Sequence, residues 1–203
     1  MKKSLPDSDM DCHSICEGVI PKSLFEETYE PAEDTMLLLK AALTEVKPED
    51  RVIEIGCGRG LISFELAKRA QIVIATDINP HAVKFTKRYG LEVVRADLFG
   101  GLKAKFDLVI FNPPYLPTKE EERASGWINY ALDGGKNGRE TINKFIEMLK
   151  DHLNPNGRCL LLVSSLSGLE EVKEKAEVEG FKIIEVANER CFFEQLCIFK
   201  LEL

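Results

Sequence analysis

Asn112-Pro113-Pro114-Tyr115 follows directly on the apolar run Phe106–Phe111. Neither proline has a backbone N–H to donate, and each restricts the residue before it to extended conformations, so Asn112 and Pro113 cannot continue into a helix. The chain is held stiff and open there. It offers the Asn112 side chain and the carbonyls of Asn112 and Pro113 beside the Tyr115 ring, an array of hydrogen-bond acceptors next to a flat surface. An ordinary proline-rich strand exit has the same composition, so other parts of the chain must decide between chemistry and punctuation.

A second group lies upstream. Gly56, Gly58 and Gly60 stand between the strand-like run Val52–Ile55 and a helical pattern beginning near Leu61. Glycines there permit a tight turn and let a ligand approach the N–H groups of a helix N-terminus. The spacing departs from the dinucleotide GxGxxG, because position 61 is leucine and the third glycine comes one residue early. Glu54, just before the loop, would repel a pyrophosphate and attract an ammonium. Asp77 ends the next strand, where a carboxylate can accept both hydroxyls of a ribose. It could equally cap the helix that starts at Asn79-Pro80. Asp97 and Leu98 end the third strand, an acceptor for an exocyclic amine beside an apolar cover for its ring. Adenine, ribose and an amino-acid end without phosphate describe S-adenosylmethionine.

The elements that must position these groups follow a βαβ rhythm. Strand-like runs (Val52–Ile55, Ile72–Thr76, Glu92–Arg95, Leu108–Phe111, Cys159–Val163) alternate with helical patterns starting near Leu61, Pro80 and Gly138. This predicts an α/β fold with a mainly parallel sheet and ligands at the carboxyl ends of its strands. Asn154-Pro-Asn-Gly157 is a turn signal before the strand at Arg158, and the segments Lys182–Val186 and Cys191–Leu201, after the helix Leu169–Glu179, suit an antiparallel pair. Glu30–Thr35 reads as the capped start of a helix Met36–Leu43, with Asp34 or Thr35 as the cap. About 20 residues of polar chain separate Tyr115 from Lys136, longer than connections in compact domains usually are, and predict a lid on the substrate side.

Composition narrows the class. At 203 residues, 44% hydrophobic and 30% charged, the chain suits one well-buried domain, and a net charge of −7 disfavours nucleic acid as a partner. No apolar run approaches the roughly 20 residues of a membrane span, and the polar start lacks a signal-peptide core, so a cytoplasmic protein without membrane contact is expected. The six cysteines form no CxxC pair and read as reduced thiols. Cys12, His13 and Cys16 are the one ligand-like cluster, with no matching second half, and no metal is expected.

Tyr29-Glu-Pro-Ala-Glu-Asp-Thr35, Glu54-Ile-Gly-Cys-Gly-Arg-Gly60, Thr76-Asp-Ile-Asn-Pro80, Asn112-Pro-Pro-Tyr115 and Gly134-Gly-Lys-Asn-Gly-Arg-Glu140 together resemble the class I methyltransferases. Within them they resemble the HemK-like glutamine N5-methyltransferases that modify translation release factors, in the short archaeal and eukaryotic branch. The resemblance covers nearly the whole chain. It implies a Rossmann-like fold: a seven-stranded, mainly parallel sheet with an antiparallel last strand and helices on both faces. An N-terminal extension, residues 1–28, would precede a single methyltransferase domain, residues 29–203. It implies cofactor contacts from Thr35, Glu54, Gly56, Gly58, Asp77, Asp97, Leu98 and Asn112, with S-adenosylhomocysteine as product. Substrate contacts would come from Asn112, Pro113, Pro114 and Tyr115, with Asn112, Pro113 and Tyr115 carrying the catalysis.

The chemistry suits these residues. A glutamine amide nitrogen is a poor nucleophile because its lone pair is delocalised, so position must compensate. If the Asn112 side-chain oxygen and the Pro113 carbonyl accept its two hydrogens, the remaining lobe faces the methyl donor and Tyr115 lies against the flat amide. The same array would serve adenine N6 or guanine N2, so a nucleic-acid amino-methyltransferase is the alternative, opposed by the net charge. A cofactor-binding scaffold without catalysis is opposed by the intact Asn112 and glycine loop. Bacterial relatives carry an N-terminal helical domain that helps grip the release factor. Here only a short extension precedes Tyr29, and relatives of the short branch work with a small zinc-binding activator protein. A heterodimer with such an activator is expected, docked on the third strand, Leu91–Arg95, at a sheet edge.

Overall fold

A computed structural model describes residues 25–119, 121, 126–191 and 193–203. The Cys12, His13 and Cys16 group lies outside them. Apolar runs bounded by turn formers become strands β1 (Arg51–Ile55), β2 (Ile72–Asp77), β3 (Glu92–Arg95), β4 (Phe106–Phe111), β5 (Leu153–Ser164), β6 (Lys182–Cys191) and β7 (Glu194–Glu202). They form one sheet in the order β3-β2-β1-β4-β5-β7-β6. The ladders from β3 to β5 are parallel, and β7 runs antiparallel to both its neighbours. Chain order reverses between β1 and β4, which opens a crevice beyond their carboxyl ends.

Helices cover both faces. Along β1, Ile53 and Ile55 stand in register with Val109 and Phe111 of β4, and these with Cys159 and Leu161 of β5. On that row packs α5 (Glu140–His152), burying Ile142, Phe145, Ile146 and Leu149 at helical spacing, with α6 (Leu169–Val178) beside it. The opposite face, Val52, Leu108, Leu160 and Ile198, takes Leu38 and Ala42 of α1 (Glu33–Glu45) and Ile62 and Leu66 of α2 (Leu61–Leu66). Each such Val, Leu, Ile or Phe side chain contributes about 1.5–3 kcal/mol on burial. α3 (Pro80–Thr86) packs Val83 on Ala75 and Val93, next to the edge strand. Among the described residues no helix is long and apolar enough to cross a membrane.

Several boundaries differ from expectation. The first helix starts at Glu33, not Met36, and its N-cap is Ala32, with no side-chain cap bond. Asp34 and Thr35 are not caps; both lie buried inside the first turn, where negative charge is favoured by the helix dipole. Asp77 does not cap α3 either, because Asn79 accepts the His81 N–H at 2.8 Å. The turn signal Asn154–Gly157 forms no separate turn. It is carried inside β5 as an irregularity between the pairs Phe106–Leu153 and Leu108–Arg158, with Asn156 at φ 65°. β6 runs on to Cys191, so residues 187–190, expected as loop, pair with β7. The stretch after Tyr115 is not plain chain: it contains α4 (Trp127–Leu132) and is pinned by a bridge between Leu116 and Asp133.

Candidate active site

A cavity of about 660 Å³ opens at the carboxyl ends of β1, β2, β3 and β4, within the usual size of a small-molecule site. The structure gathers every site residue expected from sequence along it: Thr35, Glu54, Gly56, Gly58, Asp77, Asp97, Leu98, Asn112, Pro113, Pro114 and Tyr115. They come from α1, from the ends of four strands and from the loops that follow, which is why they are scattered in sequence.

The glycine loop leaves β1 with Gly56 at φ 66° and Gly58 at φ 52°, left-handed conformations that side chains resist. A Cβ on Gly56 would also touch the Phe111 ring at 3.4 Å, so the loop lies close against the start of the Asn112 segment. Asp77 holds this loop: its Oδ2 accepts the Gly58 N–H and its Oδ1 the Asn79 N–H, both at 2.8 Å. Glu54 is buried, and its Oε2 accepts the Ser63 N–H at 2.8 Å and the Ser63 hydroxyl. Burial outweighs these bonds and, with repulsion from Asp77, lifts the Glu54 carboxyl to about 8. Burial also raises Asp77. Two carboxylates crowded around a glycine loop make a cavity that favours a cationic ligand. Asp97 is exposed at its rim, whereas Leu98 is buried at φ 50°, where the chain turns away from β3.

Around Asn112 the pattern changes. Its Nδ2 donates to Asp34 Oδ2 at 3.0 Å, and the Tyr29 hydroxyl donates to the same oxygen at 2.9 Å. Among the described residues Asn112 Oδ1 is buried without a hydrogen-bond partner. A desolvated acceptor of that kind costs about 1–3 kcal/mol and gains most from an incoming donor. Burial first, then the charge of Asp34, push the phenols of Tyr29 and Tyr115 up, so both stay protonated. Tyr115 is locked from behind by Gly138, at φ 73°, where a Cβ would come within 2.5 Å of the Tyr115 carbonyl oxygen. That contact explains Gly138 in the glycine-rich run before α5.

Several lining residues escaped the sequence reading. Residues 25–30 form a strap over the glycine loop: Arg59 donates to the Thr28 hydroxyl at 3.2 Å and to the Phe25 carbonyl at 3.1 Å. Asn79 Nδ2 donates to the Glu27 carbonyl at 2.7 Å, and the Trp127 N–H to the Glu27 carboxylate at 3.2 Å. Trp127 also lies over the Arg95 guanidinium, 5.6 Å from its ring centre. The one sequence signal for this assembly was the length of the chain after Tyr115.

Residues 31–128 match the family model described as Methyltransferase small domain. A Methanocaldococcus jannaschii protein, provisionally named a protein N5-glutamine methyltransferase, is 44% identical over 189 residues, 90% of this chain and 94% of that protein. The Schizosaccharomyces pombe eRF1 methyltransferase catalytic subunit mtq2 is 30% identical over 207 residues, 87% of this chain and 90% of its own. Among solved structures, the E. cuniculi Mtq2–Trm112 complex, responsible for methylation of the eRF1 translation termination factor, matches with a TM-score of 0.73. There the identity is 31%, over 87% of this chain and 98% of that one.

Proposed function

The chain belongs to the HemK-like class I methyltransferases, the family of the glutamine N5-methyltransferases, and from that membership we propose that it methylates a translation release factor. The acceptor is the side-chain amide nitrogen, N5, of the glutamine in a Gly-Gly-Gln loop, and the donor is S-adenosylmethionine. The cavity suits this cofactor by its own chemistry, since the raised carboxyls of Glu54 and Asp77 invite a cation and the glycine loop brings backbone close. Thr35, Glu54, Gly56, Gly58, Asp77, Asp97, Leu98 and Asn112 would hold it. When bound, it supplies a methyl group made electrophilic by its sulfonium sulfur.

The chain's own part is orientation. Asn112 Oδ1 and the Pro113 carbonyl accept the two N–H groups of the substrate amide, Pro114 keeps that segment extended, and the Tyr115 ring supports the amide plane. No strong base is needed, because the amide nitrogen becomes acidic only as its new bond forms and sheds its proton afterwards. The protonated phenols of Tyr29 and Tyr115 accord with that. The observation that carries the reading is the buried, unpartnered Asn112 Oδ1 at the glycine loop's side of the cavity. The charges of Asp34, Glu194 and Glu33 all act on Tyr115, a field that repels phosphate and weighs against a nucleic-acid substrate.

A small zinc-binding activator protein would complete the enzyme, a pairing in line with the two-protein Mtq2–Trm112 complex, and the open edge of β3 is where it would add. The test is transfer of labelled methyl to a Gly-Gly-Gln peptide, with and without the activator, against the same peptide carrying glutamate in place of the glutamine. Label on the first and not the second is expected. Label on neither, but on added nucleic acid, would overturn the reading.

A further inference from the structure

We infer that Asp34 is a positioning residue that fixes which end of the Asn112 amide is free for the substrate. The inference rests on the methyl-transfer reading above. Asp34 is 4% exposed and sits in the first turn of α1, where the helix dipole favours its charge. Its Oδ1 accepts the Thr35 N–H at 2.5 Å and the Thr35 hydroxyl at 3.1 Å. Its Oδ2 accepts the Tyr29 hydroxyl at 2.9 Å and Asn112 Nδ2 at 3.0 Å. The carboxylate is thus saturated with donors, and it has none of its own to give.

That one-sidedness decides the orientation of Asn112. Facing a group that only accepts, the Asn112 amide has to present its NH2. The reverse orientation would set Oδ1 against Oδ2, two acceptors with no proton between them. At the other end of the same amide stands Oδ1, buried and unpaired. The acceptor nitrogen of the substrate brings only N–H donors, so Oδ1 is the atom it requires. A substrate amide that enters the cavity meets a pre-set acceptor there. The residues are far apart in sequence, one in the first turn of α1 and one just past β4, and the contact also ties those two elements together.

A purely structural tie predicts different results from an orienting one. In 15N,13C-labelled wild-type protein, nuclear magnetic resonance should detect a coupling across the hydrogen bond between Asn112 Nδ2 and Asp34 Cγ, with slowed exchange of that amide's protons. Asp34→Asn keeps the shape but can pair with either orientation of Asn112. It should lose the coupling and lower kcat by about 10²-fold, while the KM for S-adenosylmethionine changes by less than about threefold. Absence of the coupling in the wild type, or wild-type kcat in a folded Asp34→Asn protein, overturns the inference. Should Asp34→Asn fail to fold, Asp34→Glu, which keeps an acceptor-only carboxylate, should retain the coupling and a kcat within about tenfold of wild type, and its loss of either overturns the inference. Should no glutamine be methylated by the wild type, the parent reading fails while the spectrum still reports on Asp34.

Discussion

Glu54 gives the cavity a pH signature that a ligand can be tested against. Burial, the largest influence, lifts its carboxyl from 4.5 to about 8 in the folded protein. A raised folded pKa means that its contribution to stability is fully present below about 4.5 and is lost as pH rises through about 8. A bound ammonium reverses the cause by favouring the carboxylate. Binding S-adenosylmethionine between pH 5 and 7 should therefore release a proton and tighten as pH rises. Calorimetry in two buffers of different ionisation enthalpy should give different apparent binding enthalpies for the wild type and equal ones for Glu54→Gln. Equal enthalpies for both proteins would take Glu54 out of the ammonium site. Asp77 has a double task, since it holds the Gly58 and Asn79 N–H groups and faces the cavity. Asp77→Ala should weaken cofactor binding by about 1–3 kcal/mol and also lower the melting temperature. Full affinity at a lowered melting temperature would leave Asp77 a loop support only. At this scale the sequence was legible where the cavity lining sits at strand ends: Glu54, Asp77 and Asn112 all stand just inside or beyond a run whose period is plain. The stretch Tyr29–Thr35 carried the resemblance, but the bonds of Asp34 to Tyr29 and Asn112 were not legible, because the second is made across the molecule and no local spacing encodes it.

Edge strand β3, one of the two edges of the sheet, is where the proposed activator would add. Val93 is 7% exposed and packs with Ala75 and Val83, whereas Val94 is 41% exposed on the other side of the strand. An added strand would satisfy the open backbone of β3 and cover Val94. Val94→Lys should leave the melting temperature of the isolated chain nearly unchanged and weaken association with the activator at least about tenfold, or about 1.4 kcal/mol. Val93→Lys should unfold the chain whether or not a partner is present. Undiminished association of the Val94→Lys chain, read by size-exclusion chromatography, would remove the activator from this edge. The strands follow from apolar runs, so they could be read from sequence, while the edge position of β3 came with the family resemblance. The helix α4 could not, because Trp127–Leu132 is only six residues long and buries none of them fully. The start of α1 was misplaced because Ala32, a poor cap by type, takes the capping position while Asp34 faces Asn112.

At the scale of the whole molecule, one sheet brings the glycine loop and the Asn112–Tyr115 segment to the same crevice, where the chain order reverses between β1 and β4. The net charge of −7 and the carboxylates around Tyr115 suit a protein acceptor better than a polyanion. The fold class was legible because seven short apolar runs with helical patterns between them leave few arrangements. The strap of residues 25–30 and its ties to Arg59, Asn79 and Trp127 were not, since they join polar side chains to backbone groups distant in sequence. The most direct test of the account is mass spectrometry of a purified release factor after incubation with the cofactor and either the wild-type chain or Asn112→Ala. The account predicts one methyl on the amide nitrogen of the Gly-Gly-Gln glutamine with the wild type. It predicts none with Asn112→Ala, although that protein still binds S-adenosylmethionine within about tenfold of the wild-type affinity. A methyl on any other residue, or glutamine methylation at the wild-type rate by Asn112→Ala, would contradict it.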